Sequence, residues 1–104
     1  MDRQPSGLEW DAGNLTKCMK HGVTIEEIES LFAGKPRFSP DAVHSLSEQR
    51  FIAIGRTREG RALFVSFTYR ERDDRLLVRP ISARYMHAKE AASYGNEEGT
   101  GDED

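Results

Sequence analysis

The sequence predicts a small α+β protein in which an antiparallel sheet of about four strands carries two N-terminal helices and one C-terminal helix. Three short runs between residues 50 and 84 are rich in β-branched and aromatic residues and are joined by polar segments of hairpin length. Outside these runs, apolar residues recur with helical spacing. The chain of 104 residues has the size of one domain. We expect residues 8–95 to form it, between a flexible leader at residues 1–7 and a disordered acidic tail at residues 96–104.

The N-terminal half contains start and stop signals for two helices. Asp11 or Asn14 can cap the first helix, whose end is indicated by the cations and glycine of Lys20-His21-Gly22. The second helix begins with a capping box, in which Thr24 is followed three residues later by Glu27. Both helices are therefore predicted from local signals alone.

The strands are predicted from short apolar runs, which lie at residues 50–56, 63–69 and 76–84. Pro80 lacks a backbone N–H, so its place in the last run indicates an edge position or a β-bulge. Residues 8–11 are a candidate fourth strand, and residues 37–48 are expected to form a loop or a short irregular strand. After the last strand, residues 85–94 have the composition of a helix that stops at Gly95.

The net charge of −3 conceals an uneven distribution of charge. Residues 1–49 carry five Lys or Arg and eight Asp or Glu, residues 50–89 carry ten and four, and residues 90–104 carry six acids. Nine of the ten cations in the sheet region are arginines. A basic patch is typical of phosphate-backbone binding, and the planar guanidinium suits phosphate oxygens. The simpler alternative is a solvated strand face with local Glu and Asp partners.

Several classes of protein and site are not supported. No apolar run approaches the length of about 20 residues needed to cross a bilayer, and the N-terminal residues lack a signal-peptide core, so we expect a cytoplasmic protein without a membrane partner. Cys18 is the single cysteine, so it has no partner within the chain for a disulfide. The three histidines have no metal-ligand spacing, and no glycine-rich phosphate loop follows a strand. We therefore predict no metal and no cofactor.

Six short motifs follow one another in the chain: Trp10-Asp11, Asn14, Lys20-His21-Gly22-Val23, Glu48-Gln49-Arg50-Phe51-Ile52-Ala53-Ile54-Gly55-Arg56, Gly60-Arg61 and Ile81-Ser82-Ala83-Arg84. Each motif is weak alone, but the ordered set resembles the BrnT family, the toxins of type II toxin–antitoxin systems. The resemblance implies a RelE-like ribonuclease fold and metal-independent cleavage of RNA. It also implies neutralisation, within a hetero-oligomer, by an antitoxin with a ribbon-helix-helix DNA-binding domain.

The chemistry of such a site follows from RNA itself. Without a metal, the 2′-hydroxyl attacks the adjacent phosphate, which requires a base near that hydroxyl, an acid near the leaving 5′-oxygen and cations near the phosphoryl oxygens. Positioned acid–base groups contribute about 10²–10⁴-fold to the rate. Preorganised charge stabilisation contributes about 10²–10³-fold for each donor in a well-studied oxyanion hole.

Six residues are predicted to be catalytic: Lys20, His21, Glu48, Arg50, Arg56 and Arg84. Three more are predicted to bind RNA: Arg61, Tyr85 and His87. Arg84 is the first candidate for a phosphate clamp because it ends the last strand within the best-matched motif. His21, Glu48 and His87 are the candidate bases, although a carboxylate near arginines has a lowered pKa, which weakens it as a base. A site built mainly of arginines and a lysine can also be catalytic with a poor base. The structural alternatives are ion pairing for the arginines and helix-end charge for Lys20 and His21.

Two functions of other classes are compatible with the residues. The protein can be a module that binds nucleic acid without cleaving it, in which case binding has a steep salt dependence and the nucleic acid stays intact. It can also be an interaction protein whose basic sheet face binds an acidic partner. The resemblance favours the ribonuclease toxin.

Overall fold

The computed structural model describes residues 5–41 and 48–93. It confirms the α+β class, with one five-stranded sheet in the order β1-β5-β4-β3-β2. The elements are β1 (Gly7–Leu8), α1 (Ala12–Met19), α2 (Ile25–Ala33), β2 (Arg37–Pro40), β3 (Phe51–Arg56), β4 (Ala62–Arg72), β5 (Arg75–Tyr85) and α3, a helical segment at residues 88–93. Within the described residues, no helix is long and apolar enough to span a membrane.

Three parts of the predicted chain lie wholly or partly outside the described residues. The acidic tail at 96–104 is outside them, and so are residues 1–4 of the leader and the loop histidine His44. Residues 5–7 of the leader are described. Gly7 belongs to β1, and the backbone N–H of Ser6 donates to the carbonyl oxygen of Leu76 at 2.8 Å. The tail stays a prediction.

The sheet differs from the prediction at both edges. It has five strands rather than about four, and it is mixed, because β1 pairs in parallel with β5 whereas the other neighbours are antiparallel. β2 lies in the segment predicted to be a loop or irregular strand. A segment of four residues is too short to show the alternation of apolar and polar side chains that predicts a strand. Its strand conformation depends on pairing with β3.

Both N-terminal helices begin as predicted. The Asp11 carboxylate accepts hydrogen bonds from the backbone N–H groups of Gly13 and Asn14, while the Asn14 side chain accepts one from the backbone N–H of Asp11. Thr24 and Glu27 form the predicted capping box of α2. These bonds satisfy N–H groups that have no partner inside a helix.

The helices α1 and α2 pack against one face of the sheet, which we call the helical face. The residues that are almost completely buried there include Cys18, Val23, Ile28, Leu31, Ala53, Leu63, Val65 and Phe67. Gly55 permits the close approach of α2 to β3, because a Cβ at this position would lie 2.6 Å from Cδ1 of Leu31 and 3.3 Å from Cα of Pro36. The core therefore depends on the absence of a side chain at one strand position.

The opposite face carries most of the arginines, and we call it the arginine face. Strand alternation places on it the residues Arg37, Arg56, Arg70, Arg72, Arg75, Arg79 and Arg84, and Arg50 continues the same alternation just before β3. The basic sheet predicted from composition is thus basic on one side, and its other side is the hydrophobic core.

A β-bulge in β5 makes this arrangement possible. Ser66 pairs with Ser82 and Phe67 pairs with Pro80, so Ile81 has no partner in β4. The bulge predicted near the proline is confirmed. Because of this extra residue, Arg79 before the bulge and Arg84 after it project from the same face of the sheet, although they are an odd number of residues apart.

Candidate functional site

Towards the N-terminal end of β5, Arg79 of this strand and Arg72 of the neighbouring β4 are paired with carboxylates. Arg79 donates to Glu9 at 3.0 Å and to Asp11 at 2.8 Å, and Arg72 donates to Glu9 at 2.7 Å. The hydrogen bond from Arg79, together with the backbone N–H groups that the carboxylate caps, lowers the pKa of Asp11 to about 2. We call these four residues the N-terminal ion cluster. It ties the segment before α1 to the sheet.

Glu48 lies just before β3 and contacts the arginine face at Arg70 of β4. Arg70 binds both oxygens of this carboxylate, at 2.6 and 3.3 Å. The hydrogen bond from Arg70 lowers the pKa of Glu48, and the charges of Arg50 and Arg79 act in the same direction. The lowered pKa makes Glu48 a weaker proton acceptor than an ordinary carboxylate, which is unfavourable for a general base.

At the C-terminal end of β5, Arg84 joins the strand to α3. Its guanidinium donates to both oxygens of Glu90, at 2.8 and 3.0 Å, and its Cζ lies 4.3 Å from the centroid of the Phe64 ring. The same Glu90 carboxylate accepts the backbone N–H of His87 at 2.9 Å. The hydrogen bonds from Arg84 and from the His87 backbone lower the pKa of Glu90 to about 2. Arg84 thus has a carboxylate partner and an aromatic one.

A cavity of about 700 Å³ lies beside this ion pair, between the edge strand β2 and α3. We call it the α3 cavity, and its lining includes Arg37, Ser39, Ile54, Phe64, Met86, His87, Lys89 and Glu90. One guanidinium, one ammonium and one imidazole therefore surround an opening with a partly apolar floor. Such a combination suits a phosphodiester with an attached base, because the cations attract phosphate and the apolar floor accepts a ring.

On the helical face, Tyr85 is the centre of a second polar cluster. Its hydroxyl donates to the Glu27 carboxylate at 2.6 Å and lies 3.2 Å from the carbonyl oxygen of Gly22. The Arg61 guanidinium lies 3.5 Å above the Tyr85 ring. The bond to Glu27 raises the pKa of Tyr85, so the phenol is held protonated. We call this the Tyr85 cluster.

The predicted site residues therefore lie in two groups. Glu48, Arg50, Arg56 and Arg84 belong to the arginine face, and His87 lines the α3 cavity beside it. The other group lies towards the helical face, where the Arg61 guanidinium contacts the Tyr85 ring. Lys20 and His21 belong to this group because they immediately precede Gly22, whose carbonyl oxygen accepts a hydrogen bond from the Tyr85 hydroxyl. The structure does not bring all nine residues together.

Four residues of the α3 cavity were missed by the sequence analysis: Arg37, Phe64, Lys89 and Glu90. Arg37 lies in a segment predicted to be irregular, so its orientation had no pattern to indicate it. Phe64 alternates with the buried residues of β4, and this signal was sufficient to place it on the arginine face. Lys89 and Glu90 come after the last motif of the family resemblance, which ends at Arg84. They line the cavity because α3 begins at residue 88, and no motif indicates this start.

Metal and thiol chemistry have little support in the described part of the chain. No group of three or more His, Cys, Asp or Glu side chains is found there that could hold a metal ion. Cys18 is buried, and this burial raises the pKa of its thiol to about 11. The thiol therefore belongs to the core and is a poor nucleophile.

Comparison with known families identifies the chain. The model of a family described as "Ribonuclease toxin, BrnT, of type II toxin-antitoxin system" matches residues 10–90. A comparison with curated proteins found no match. The matched range contains both N-terminal helices, the strands β2 to β5, and the start of α3. The protein therefore belongs to the BrnT family of ribonuclease toxins, whose members have a protein antitoxin as their partner in type II systems.

Proposed function

We propose that this protein is a metal-independent endoribonuclease toxin with a RelE-like fold, acting on RNA in the cytoplasm. Family membership supports the ribonuclease class, and the α3 cavity is the single observation that supports the mechanism. It is the place where an imidazole lies beside two cations at the edge of the arginine face: His87, Lys89 and Arg37. An RNA strand bound along this face meets them at the edge strand β2.

In the proposed reaction, His87 is the general base. Of the three candidate bases, Glu48 is weakened because the hydrogen bond from Arg70 lowers its pKa, and His21 lies beside the Tyr85 cluster rather than on the arginine face. His87 accepts the proton of the 2′-hydroxyl, whose oxygen forms a bond to phosphorus. The bond from phosphorus to the 5′-oxygen then breaks, this oxygen takes a proton, and a 2′,3′-cyclic phosphate remains.

The cations of the cavity stabilise the transition state. Lys89 and Arg37 face the same opening as His87, so they are positioned to interact with the phosphoryl oxygens as negative charge grows there. We also assign Lys89, which lines the cavity, as the acid that protonates the leaving 5′-oxygen. Arg84 is not assigned to the phosphate, because its guanidinium already binds both oxygens of Glu90.

The test is cleavage of total RNA in EDTA by the purified protein and its variants. We expect the parent to cleave and His87→Ala to lose about 10²–10⁴-fold in rate, the usual contribution of a positioned acid–base group. Lys89→Ala should also cleave more slowly than the parent, because it removes a cation from the cavity. Its control is Lys17→Ala, at an exposed position of α1, which should retain the parent rate. A larger loss in His21→Ala than in His87→Ala would move the site to the Tyr85 cluster.

The same experiment separates catalysis from binding alone. If a folded parent leaves RNA intact, both as naked RNA and in an extract that contains ribosomes, the nuclease proposal is wrong. Binding that weakens steeply with salt, without cleavage, would then identify a nucleic-acid-binding module.

We also propose that the partner is an antitoxin with a ribbon-helix-helix domain, and that it inhibits the toxin in a hetero-oligomer. The family supports a protein antitoxin, and the resemblance described above supports its class. A short reading frame immediately downstream of the toxin gene should encode this antitoxin. Co-expression should give a complex that does not cleave RNA, and a complex that cleaves as fast as the free toxin would contradict the proposal.

A further inference from the structure

We infer that Glu90 and Arg84 are positioning residues that hold His87 in the α3 cavity. The inference rests on the proposed role of His87. It assigns a function to two side chains that would otherwise be an ordinary ion pair at the protein surface. The reasons are the connections that one carboxylate makes, the aromatic support of the guanidinium, and the short distance along the chain from β5 to the imidazole.

The Glu90 carboxylate joins the end of β5 to the start of α3. Its Oε1 accepts one hydrogen bond from Nη1 of Arg84 at 2.8 Å and another from the backbone N–H of His87 at 2.9 Å. His87 immediately precedes α3, and Glu90 is the third residue of this helix. A carboxylate at this position that accepts the N–H of the residue before the helix is half of a capping box, and it fixes the angle at which the chain enters the helix.

The guanidinium of Arg84 is itself supported by the sheet. Arg84 is paired across the β4–β5 ladder with Phe64, and its Cζ lies 4.3 Å from the centroid of that ring. Phe64 also lines the α3 cavity. The wall of the cavity, the ion pair and the start of α3 are therefore contiguous.

The backbone on the N-terminal side of His87 is also held. The N–H of Met86 donates to the carbonyl oxygen of Ala62 at 3.0 Å. The next N–H, that of His87, donates to Glu90. Two successive backbone donors thus have fixed partners, one on β4 and one on α3, and the imidazole projects from the second of these residues. Removal of Glu90 releases the His87 side of this arrangement and leaves the Met86 side intact.

A merely structural ion pair predicts a different outcome. An exposed pair contributes little to stability, so its loss is expected to leave both folding and catalysis nearly unchanged. A positioning pair also leaves folding nearly unchanged, but a misplacement of the reacting group by about 1 Å can cost about 10²-fold in rate. Stability and kcat together therefore distinguish the two roles.

The experiment is a double-mutant cycle on kcat with His87→Ala and Glu90→Ala in the full chain. We expect Glu90→Ala to lower kcat by about 10–100-fold with little change in KM. Since Glu90 acts through His87, Glu90→Ala should cost nothing further when His87 is already alanine. Glu90→Gln retains an acceptor for the His87 N–H and should recover part of the rate. Glu26→Ala, at an exposed position of α2, is the matched control.

The outcomes of this cycle separate a failure of the inference from a failure of the proposed function. The inference is wrong if Glu90→Ala keeps the parent kcat, or if the two losses multiply in the double variant. If the parent does not cleave RNA, or if His87→Ala keeps full activity, the proposed function fails instead. A measurement independent of activity is the NMR signal of the imidazoles: in Glu90→Ala the His87 signals should move and broaden while those of His21 stay in place, and unchanged His87 signals would contradict the inference.

Discussion

The two ends of β5 are held by similar ion pairs that connect the strand to different parts of the chain. At the N-terminal end, Arg79 pairs with Glu9 and Asp11, which lie before α1. At the C-terminal end, Arg84 pairs with Glu90, which lies in α3. Both arginines are on the arginine face, and their nearest carboxylate oxygens are at the same distance, 2.8 Å.

The surroundings of the two ends differ. The N-terminal ion cluster lies beside the buried amide of Asn14 and the parallel pairing of β1, so it is one of several connections that hold the same segment. The pair of Arg84 and Glu90 lies beside the α3 cavity and is joined by a hydrogen bond to the backbone of His87. An arginine on a strand therefore does not reveal its role by its type or its pairing. What differs is the segment that its carboxylate partner holds, and on this difference we base the proposal that Arg79 serves stability and Arg84 serves activity.

The largest expected effect on stability is at the N-terminal end, in Asn14→Ala. The buried Asn14 amide donates to the carbonyl oxygens of Glu9 at 2.9 Å and Pro80 at 2.8 Å. Its loss leaves buried acceptors unsatisfied, so the free energy of unfolding should fall by about 1–3 kcal/mol. Urea unfolding measures this change, and Thr16→Ala in the same helix is the control. A change as small as that of the control would contradict the prediction. RNA cleavage per folded molecule should stay at the parent rate.

A smaller effect is expected from Arg79→Met, and a still smaller one from Arg84→Met. The Glu9 side chain is 14% exposed, and among the described residues it would keep one ion-pair partner, Arg72, when Arg79 is replaced. The Arg84 and Glu90 side chains are each 36% exposed, so water can replace the lost contacts. We expect the urea midpoint to fall further in Arg79→Met and the cleavage rate to fall further in Arg84→Met. The reverse order in either measurement would remove the distinction between the two ends.

The smallest effect is a dependence on pH in the acidic range. The pKa values of Asp11 and Glu90 are lowered from 3.8 and 4.5 to about 2 in the folded protein. Because folding lowers them, each carboxylate stabilises the protein above its ordinary pKa, and this stabilisation is lost as the pH falls from about 4.5 towards 2. The difference in stability between the parent and Asp11→Asn should therefore be constant from pH 7 to pH 5 and decrease below that. A difference that stays constant down to pH 2 would contradict the assignment.

Much of the fold could be predicted because its signals are local. The two capping boxes need only residues three apart, and the β4–β5 hairpin is indicated by the polar residues between two apolar runs. Asp73 and Asp74 form its turn with φ of 52° and 66°, a left-handed conformation that aspartate tolerates. The edge strands β1 and β2 were not predicted in this form because each consists of few residues and depends on its partner strand.

The site was harder to predict because it depends on where elements end. The sequence places a helix at 85–94, whereas β5 continues to Tyr85 and α3 begins only at residue 88. This later start is what brings Glu90 to Arg84. The sequence indicated Arg84 and His87 as separate candidates, but the ion pair between Arg84 and Glu90 is a contact between a strand and a helix that no local pattern contains.

The bulge in β5 has a consequence for the lengths that this strand can have. Ile81 is one residue more than the pairing with β4 requires, and the residues after it face correctly only because it is skipped. A chain that lacked Ile81 would keep the same side chains on the same two faces, on a strand with less twist. The loss of a residue anywhere else between Arg79 and Tyr85 would require the bulge to close, or else arginine and tyrosine would exchange faces. The number of residues between Arg79 and Tyr85 therefore decides which face each side chain is on, whatever the types of the intervening residues.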